Sequence, residues 1–227
     1  MSRNFTFSLE EFYHIYSRGV EKRIIFLDNF DYNRFVISLY LCNSTNKVDI
    51  GDLLRQGLTL SDIFKIDRSG TIVDIGAWVL MPNHFHLLVK EKKDGGLALF
   101  MQKLLTSYSM YFNHKYHRKG SLLEGTFKAR HLDYDQYLKY QFTYIHLNPI
   151  SIIDKGWKEK KIRDKKKAKI FLNDYKYSSY LDYFSQKRFE DKILNKTVFP
   201  EYFRTVSDFN EMINEWLNFK EEGSDKV

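Results

Sequence analysis

The chain has 227 residues, 43% hydrophobic and 29% charged, which excludes a disordered chain and allows one or two domains with a sizeable core. No apolar run approaches the roughly 18 residues that span a bilayer, and the opening MSRNFTFSLEEF lacks the apolar stretch of a signal peptide. The single cysteine, Cys42, excludes an internal disulfide and a multi-thiolate zinc site, so a cytoplasmic, reducing location is expected. The net charge is +7, and the stretch Lys155 to Lys169, with nine basic and two acidic residues, accounts for all of it. Such a run is either a solvated surface segment or a phosphate-binding strip.

Taken in order, EFYHIYSRG (Glu11 to Gly19) predicts a strand ending in a turn. DYNRFVISLYLC (Asp31 to Cys42) has helical apolar spacing, with Asp31 as its N-cap. Ser44 to Gly70 is polar apart from a short apolar segment and reads as an insertion carrying one small helix. Thr71 to Met81 and His84 to Lys90 are two strands, and Pro82-Asn83 between them marks a hairpin. Gly95-Gly96 opens a long helix from Leu97 to about Tyr116, Thr126 to Asp133 reads as a strand, and Tyr134 to Leu147 as a helix stopping before Asn148-Pro149. The first six elements have the order of a ferredoxin-like, split βαβ domain: an α+β fold with an antiparallel sheet and helices on one face. Residues 1–150 are expected to form that domain, with the insertion at 44–70. Residues 151–227 are expected to form a basic segment and a C-terminal helical extension, with helical patches at Asp174 to Phe184 and Asp208 to Lys220.

Two residue pairs carry chemistry. His84 and His86 are i, i+2 on a strand and share a face, where two imidazoles can bind a divalent cation together. Tyr144 and Asn148 are i, i+4 on a helix, which puts a hydroxyl able to act as a nucleophile beside an amide oxygen able to act as a hard ligand. Taken singly, each has a structural alternative: two half-buried histidines, and tyrosines that pack at a helix rim in a chain with 16 of them. His14 could approach the site but is read as a packing residue, and His146 as structural or surface. Lys128 and Arg130 share a strand face and can contact phosphates.

In combination these segments resemble a family. AWVLMPNHFHLLVK (Ala77 to Lys90) resembles the HUH motif of the IS200/IS605-like single-tyrosine transposases, and TYIHLNPI (Thr143 to Ile150) resembles their tyrosine-bearing helix, most closely that of the REP-associated branch. YHIYSRGVEKRIIF (Tyr13 to Phe26) is similar to the opening strand and turn of the family, GSLLEGTFKARHLD (Gly120 to Asp133) to its strand before the tyrosine helix, and DYKYSSYLDY (Asp174 to Tyr183) to a tail motif of the REP-associated branch. The chain departs from the pattern in the 44–70 insertion and in lacking the Trp-Gln often found near Leu122-Leu123.

The resemblance implies single-stranded DNA nicking and strand transfer on hairpin or palindromic substrates, through a 5′-phosphotyrosine intermediate. Tyr144 would be the nucleophile. His84, His86 and Asn148 would hold Mg²⁺ or Mn²⁺. Lys128, Arg130, Lys160, Lys161, Arg163, Lys165, Lys166 and Lys167 would contact DNA. The protein would act as a monomer or a homodimer, either mobile in its genome or retained by a host. The alternative of a different class is a non-catalytic, nucleic-acid-binding ferredoxin-like domain, in which the histidines and Tyr144 are incidental. A metal-dependent hydrolase ranks last, because no cluster of carboxylates accompanies the two histidines.

Overall fold

A computed structural model describes residues 6–160, 162–183 and 187–200, together with positions 207 and 211. Strand β1 (Phe12–Arg18) leads through a short turn to helix α1 (Asn29–Leu41). Two short helices follow, α2 (Ile50–Arg55) and α3 (Leu60–Ile63), and then the hairpin β2 (Val73–Met81) and β3 (His84–Glu91). Helix α4 (Gly96–Lys115), strand β4 (Lys128–His131) and helix α5 (Asp135–Leu147) complete the expected order. Beyond it come α6 (Ile150–Ile153), α7 (Trp157–Lys160), α8 (Lys165–Asp174) and α9 (Tyr180–Tyr183).

The strands form one antiparallel sheet in the order β2-β3-β1-β4, as a split βαβ fold requires. Strand periodicity divides the residues between two faces. Ile15, Trp78, Leu80, Phe85, Leu87 and Val89 join the core shared with α1 and α4. Ala77, Val79, Met81 and Leu88 face the other way, into a second core built with α5 and the segments after it. The two helices of the split βαβ unit thus share one face, and the tyrosine-bearing helix covers the opposite one.

Three local expectations change. The N-cap of α1 is Asp28, whose side chain accepts from the Asp31 amide at 3.0 Å. Asp31 lies inside the first turn, fully buried, where Lys115 meets it at 2.7 Å and the Tyr111 and Tyr116 hydroxyls donate to it. A carboxylate three residues past the true cap looks the same in sequence as a cap. The 44–70 stretch carries two short helices rather than one, each opened by its own cap (Asp49 and Thr59), and Ile50, Ile63 and Phe64 enter the main core.

The third change concerns the chain after the tyrosine helix. Of the Asp174 to Phe184 patch, Asp174 ends α8 and Tyr180 to Tyr183 form α9, Phe184 lies outside the described residues, and the basic run before it supplies α7 and the first half of α8. Apart from position 211, the Asp208 to Lys220 patch lies outside the described residues. The segment before α9 is a strap along the outer edge of β2. The Leu80 amide donates to the Tyr177 carbonyl and the Ser179 amide to the Trp78 carbonyl, both at 2.9 Å. The Tyr183 hydroxyl reaches the Gly76 carbonyl at 2.7 Å. This covers an edge strand whose every residue is buried, and an uncovered edge would be a template for pairing with another chain. Gly76 has room for no side chain, since a Cβ there would lie 2.4 Å from the Phe199 ring.

One polar relay joins the strap, the sheet and α5. The Trp78 amide donates to the Ser179 hydroxyl at 2.9 Å, and that hydroxyl meets His146 Nε2 at 2.8 Å. His146 Nδ1 lies 2.9 Å from the Phe142 carbonyl, an acceptor only, so it carries the proton and Nε2 accepts from Ser179. His146 is fully buried and structural, as expected. Replacing Ser179 with Ala removes the group that serves both partners inside the core. Ser179→Ala should therefore lower the unfolding free energy by about 2–3 kcal/mol in urea denaturation.

Candidate active site

The second face of the sheet is apolar at one end and polar at the other. In the β1–β3 register Tyr16 pairs with His86 and Arg18 with His84, and in the β1–β4 register His14 pairs with Arg130 and Tyr16 with Lys128. Directly paired residues point to the same side. His84, His86, His14, Tyr16, Arg18, Lys128 and Arg130 therefore form one surface, and α5 closes over its inner edge.

His84 follows the two-residue turn at Pro82-Asn83, which is pinned by its own backbone: the Pro82 carbonyl accepts from Ile25 at 2.8 Å and the Asn83 carbonyl from Gly19 at 2.9 Å. The His84 and His86 rings stand edge to face with centroids 5.0 Å apart. Asn83 Oδ1 lies 2.7 Å from His84 Nδ1. An amide oxygen only accepts, so His84 carries its proton on Nδ1 and keeps the Nε2 lone pair. His86 Nδ1 lies 2.8 Å from His14 Nε2, and these two rings stack at 5.0 Å.

Helix α5 brings Tyr144 to this surface. Its ring meets His86 edge to face at 5.5 Å and His14 at 6.1 Å. The Lys158 ammonium donates to the Tyr144 oxygen at 2.6 Å and lies 4.4 Å from the ring centroid. Lys158 comes from α7, which is anchored by the buried Trp157 beside Tyr144. Asn148, at the C-terminal end of α5, is buried, acts as a hydrogen-bond partner to His84, and its Nδ2 makes no hydrogen bond.

Electrostatics keep the imidazoles neutral. Burial, then Arg130 and Lys158, lower His14 to about 3. Burial lowers His84 to about 4, with a hydrogen bond to the Asn148 side chain, which accepts, opposing and Lys158 and Arg18 assisting. Burial, His14, His84 and Lys158 hold His86 well below the usual range. Neutral imidazoles are the form that ligates a cation. Among the described residues no three His, Cys, Asp or Glu side chains converge as a metal cage. The available set is two imidazoles and an amide. It suits a divalent cation that keeps other positions for water and phosphate, and Asn148 Nδ2 makes no hydrogen bond that would lock the amide through that nitrogen.

The residues singled out in sequence thus divide. Tyr144, His84, His86 and Asn148 meet within one chain. Arg130 lies beside them, its guanidinium donating to the Tyr137 hydroxyl at 2.7 Å, and Lys128 is exposed on the same strand face. Arg163, Lys165, Lys166 and Lys167 are exposed, with Ala168 and Leu172 of the same stretch turned into the second core. Lys161 lies outside the described residues, as does the Lys160 side chain. His14 is a member of the site rather than a packing residue. Its signal was the period of two in HIYSR, which puts His14, Tyr16 and Arg18 on one face, together with the β1–β3 adjacency of a split βαβ fold. Lys158 had no such signal, because its place depends on the path of the chain after α6.

Residues 58–147 match the family model for transposases described as IS200 like. That match spans 90 of the 227 residues, so the likeness to IS200-like transposases holds for this stretch of the chain. The structure of a REP-associated tyrosine transposase bound to a REP hairpin superposes with a TM-score of 0.50 over 84% of this chain and 89% of that one, at 12% identity. The fold is therefore shared across most of the chain's length. The tRNA(His) guanylyltransferase from Saccharomyces cerevisiae overlaps over 90% of this chain and 87% of that one, at 11% identity and a TM-score of 0.35, which is too distant for comparison of sites. No curated protein matches the chain at a significant level. No described helix is long and apolar enough to cross a membrane.

The depressed histidines link stability to pH. A group whose folded pKa lies below its unfolded value of about 6.5 takes up its proton more readily in the unfolded chain. The stability tied to His14, His84, His86 and His146 is present above that value and is lost as pH falls below it, because burial lowers His14 and His146 to about 3, His84 to about 4, and His86 in the same direction. The urea midpoint of the metal-free protein should fall between about pH 7 and about pH 5, and a flat midpoint would contradict four buried neutral imidazoles.

Proposed function

We propose that the protein is a transposase that cuts and rejoins single-stranded DNA by transesterification through Tyr144. The observation that carries the reading is the meeting of the Tyr144 hydroxyl, the neutral His84–His86 pair and a ring of cations on one sheet face. The neighbouring structure, which is bound to a REP hairpin, supports a hairpin or otherwise structured single strand as substrate. Residues 1–150 would act as the catalytic domain, with residues 151–227 completing it.

His84, His86 and Asn148 would hold Mg²⁺ or Mn²⁺. When bound, the cation supplies Lewis-acid polarisation of the scissile phosphate. The phenolic oxygen of Tyr144 attacks phosphorus in line, a Tyr144 O–P bond forms, and the P–O3′ bond breaks. The phenolic proton passes to solvent and the departing 3′ oxygen takes one up. Rejoining reverses this with a second 3′-hydroxyl, so the phosphodiester energy is conserved and no nucleotide cofactor is consumed. Lys158 offsets the negative charge on the tyrosine oxygen as it attacks and again as it leaves. Arg18, Lys128 and Arg130 offer cations to the flanking phosphates. The exposed bases of α8, with Arg163 before it, would extend this surface as a backbone-binding strip, and Lys160 and Lys161 are assigned to it from the sequence alone.

The test is incubation of the full chain with labelled hairpin oligonucleotides from the flanks of its gene, with Mg²⁺ or Mn²⁺. The wild type should give a denaturant-resistant protein–DNA adduct that Tyr144→Phe and EDTA abolish. An adduct that survives Tyr144→Phe would move the nucleophile to a neighbour such as Tyr140, whose ring lies 6.3 Å away. Lys158→Met should slow adduct formation about 10- to 100-fold while changing hairpin affinity much less. Neutralising Lys165, Lys166 and Lys167 together should do the reverse: affinity drops and its salt dependence flattens by about two to three units of slope in filter binding.

A further inference from the structure

We propose that His14 is a positioning residue: its Nε2 accepts a hydrogen bond from His86 Nδ1–H and so fixes His86 in the tautomer that presents Nε2 to a divalent cation. The inference rests on the reading of His84 and His86 as ligands. It adds a third histidine that binds no metal itself but decides which nitrogen of its neighbour can.

The argument starts from what an imidazole can do. A neutral ring has one N–H and one lone pair, and only the nitrogen with the lone pair can ligate. His84 has its tautomer set by Asn83, because an amide oxygen cannot donate. His86 has no carbonyl or carboxylate at Nδ1. Its partner, 2.8 Å away, is another imidazole, which can accept or donate. If His14 donates, His86 carries its proton on Nε2 and the pair cannot bind a cation together. If His14 accepts, both His84 and His86 carry protons on Nδ1 and keep Nε2 for the site. Metal-bound histidines are held by an outer partner in this way, and that partner adds to ligand basicity as well as aim.

The geometry suits an orienting role. His14 is buried on the central strand β1, so its backbone is held on both sides by β3 and β4. Its ring is clamped against Tyr16 and His86, each with centroid 5.0 Å away and 5.7 Å from one another, and Tyr144 meets it edge-on at 6.1 Å. The clamp leaves the ring little freedom to rotate away. The same contact explains why a polar ring is tolerated at a buried position of a central strand: its Nε2 is paired with a group that needs a partner of its own.

The test uses the full chain without DNA. Long-range ¹H–¹⁵N spectra of the metal-free wild type should show His86 protonated on Nδ1. Titration with Mn²⁺, followed by electron paramagnetic resonance, should show binding that weakens about tenfold or more in His14→Phe, which keeps an aromatic ring in the clamp but offers no acceptor. His14→Gln, whose amide oxygen accepts, should restore affinity to within about threefold of wild type. His86 protonated on Nε2 in the wild type would overturn the proposal, as would Mn²⁺ affinity that is unchanged in His14→Phe. Failure of the wild type to bind Mn²⁺ at all, with His84→Ala and His86→Ala indistinguishable from it, would overturn the ligand reading and the proposal with it. Should His14→Phe fail to fold, the wild-type tautomer and the His14→Gln affinity decide the matter without it.

Discussion

The site depends on the pairing of β1 with β3. Every group proposed to act in it is placed by that register, either on the two strands or against them. Side chains alternate along a strand, so a slip of one residue would send His84 and His86 into the core under α1 and α4 and bring Phe85 and Leu87 to the open face. The register is held from several directions. The hairpin at Pro82-Asn83 fixes one end, the Gly19 and Ile25 amides bind its tip, and the apolar side chains on the covered face have only one way to be buried. The polar face therefore needs no internal force to hold its histidines together. They are adjacent because the other face is hydrophobic.

Burial then tunes what adjacency provides. Three imidazoles within stacking or edge distance, with arginine and lysine nearby, would repel one another if charged. Low solvent access and the surrounding cations hold them neutral, the state in which a lone pair is available. The cations that keep the imidazoles uncharged are also those that would greet a phosphate. One arrangement thus serves two ends: a neutral ligand set and a positive rim.

Much of this was legible in the chain. HFH after a Pro-Asn turn predicts two histidines on one face because strand periodicity is strict, and Tyr144 with Asn148 predicts a shared helix face for the same kind of reason. The strand order follows from the succession of elements. What escaped was whatever depends on contacts between distant segments. Asp31 and Asp28 are interchangeable as cap candidates until Lys115 of another helix claims one of them. His14 needed the strand order to be combined with strand parity. Lys158 and the strap at Tyr177 to Ser179 depend on the course of a lysine-rich stretch whose periodicity is weak and whose charge reads as solvent-facing. Its buried side, Ala168 and Leu172, amounts to two small or medium apolar residues among lysines.

The Ser179 relay has a consequence for the order in which the molecule comes into being. A growing chain emerges from its N-terminus, so the histidine strand and the tyrosine helix are both made before the residue that ties them to one another. Until Ser179 has docked on Trp78 and His146, the edge of β2 stands open and α5 lacks its tether to the sheet. A nascent or truncated chain ending short of that point carries the full set of reactive side chains without the frame that aligns them. The strap is thus the last piece of the frame to be made: only a chain extended through residue 179 can close the β2 edge and tie α5 to it.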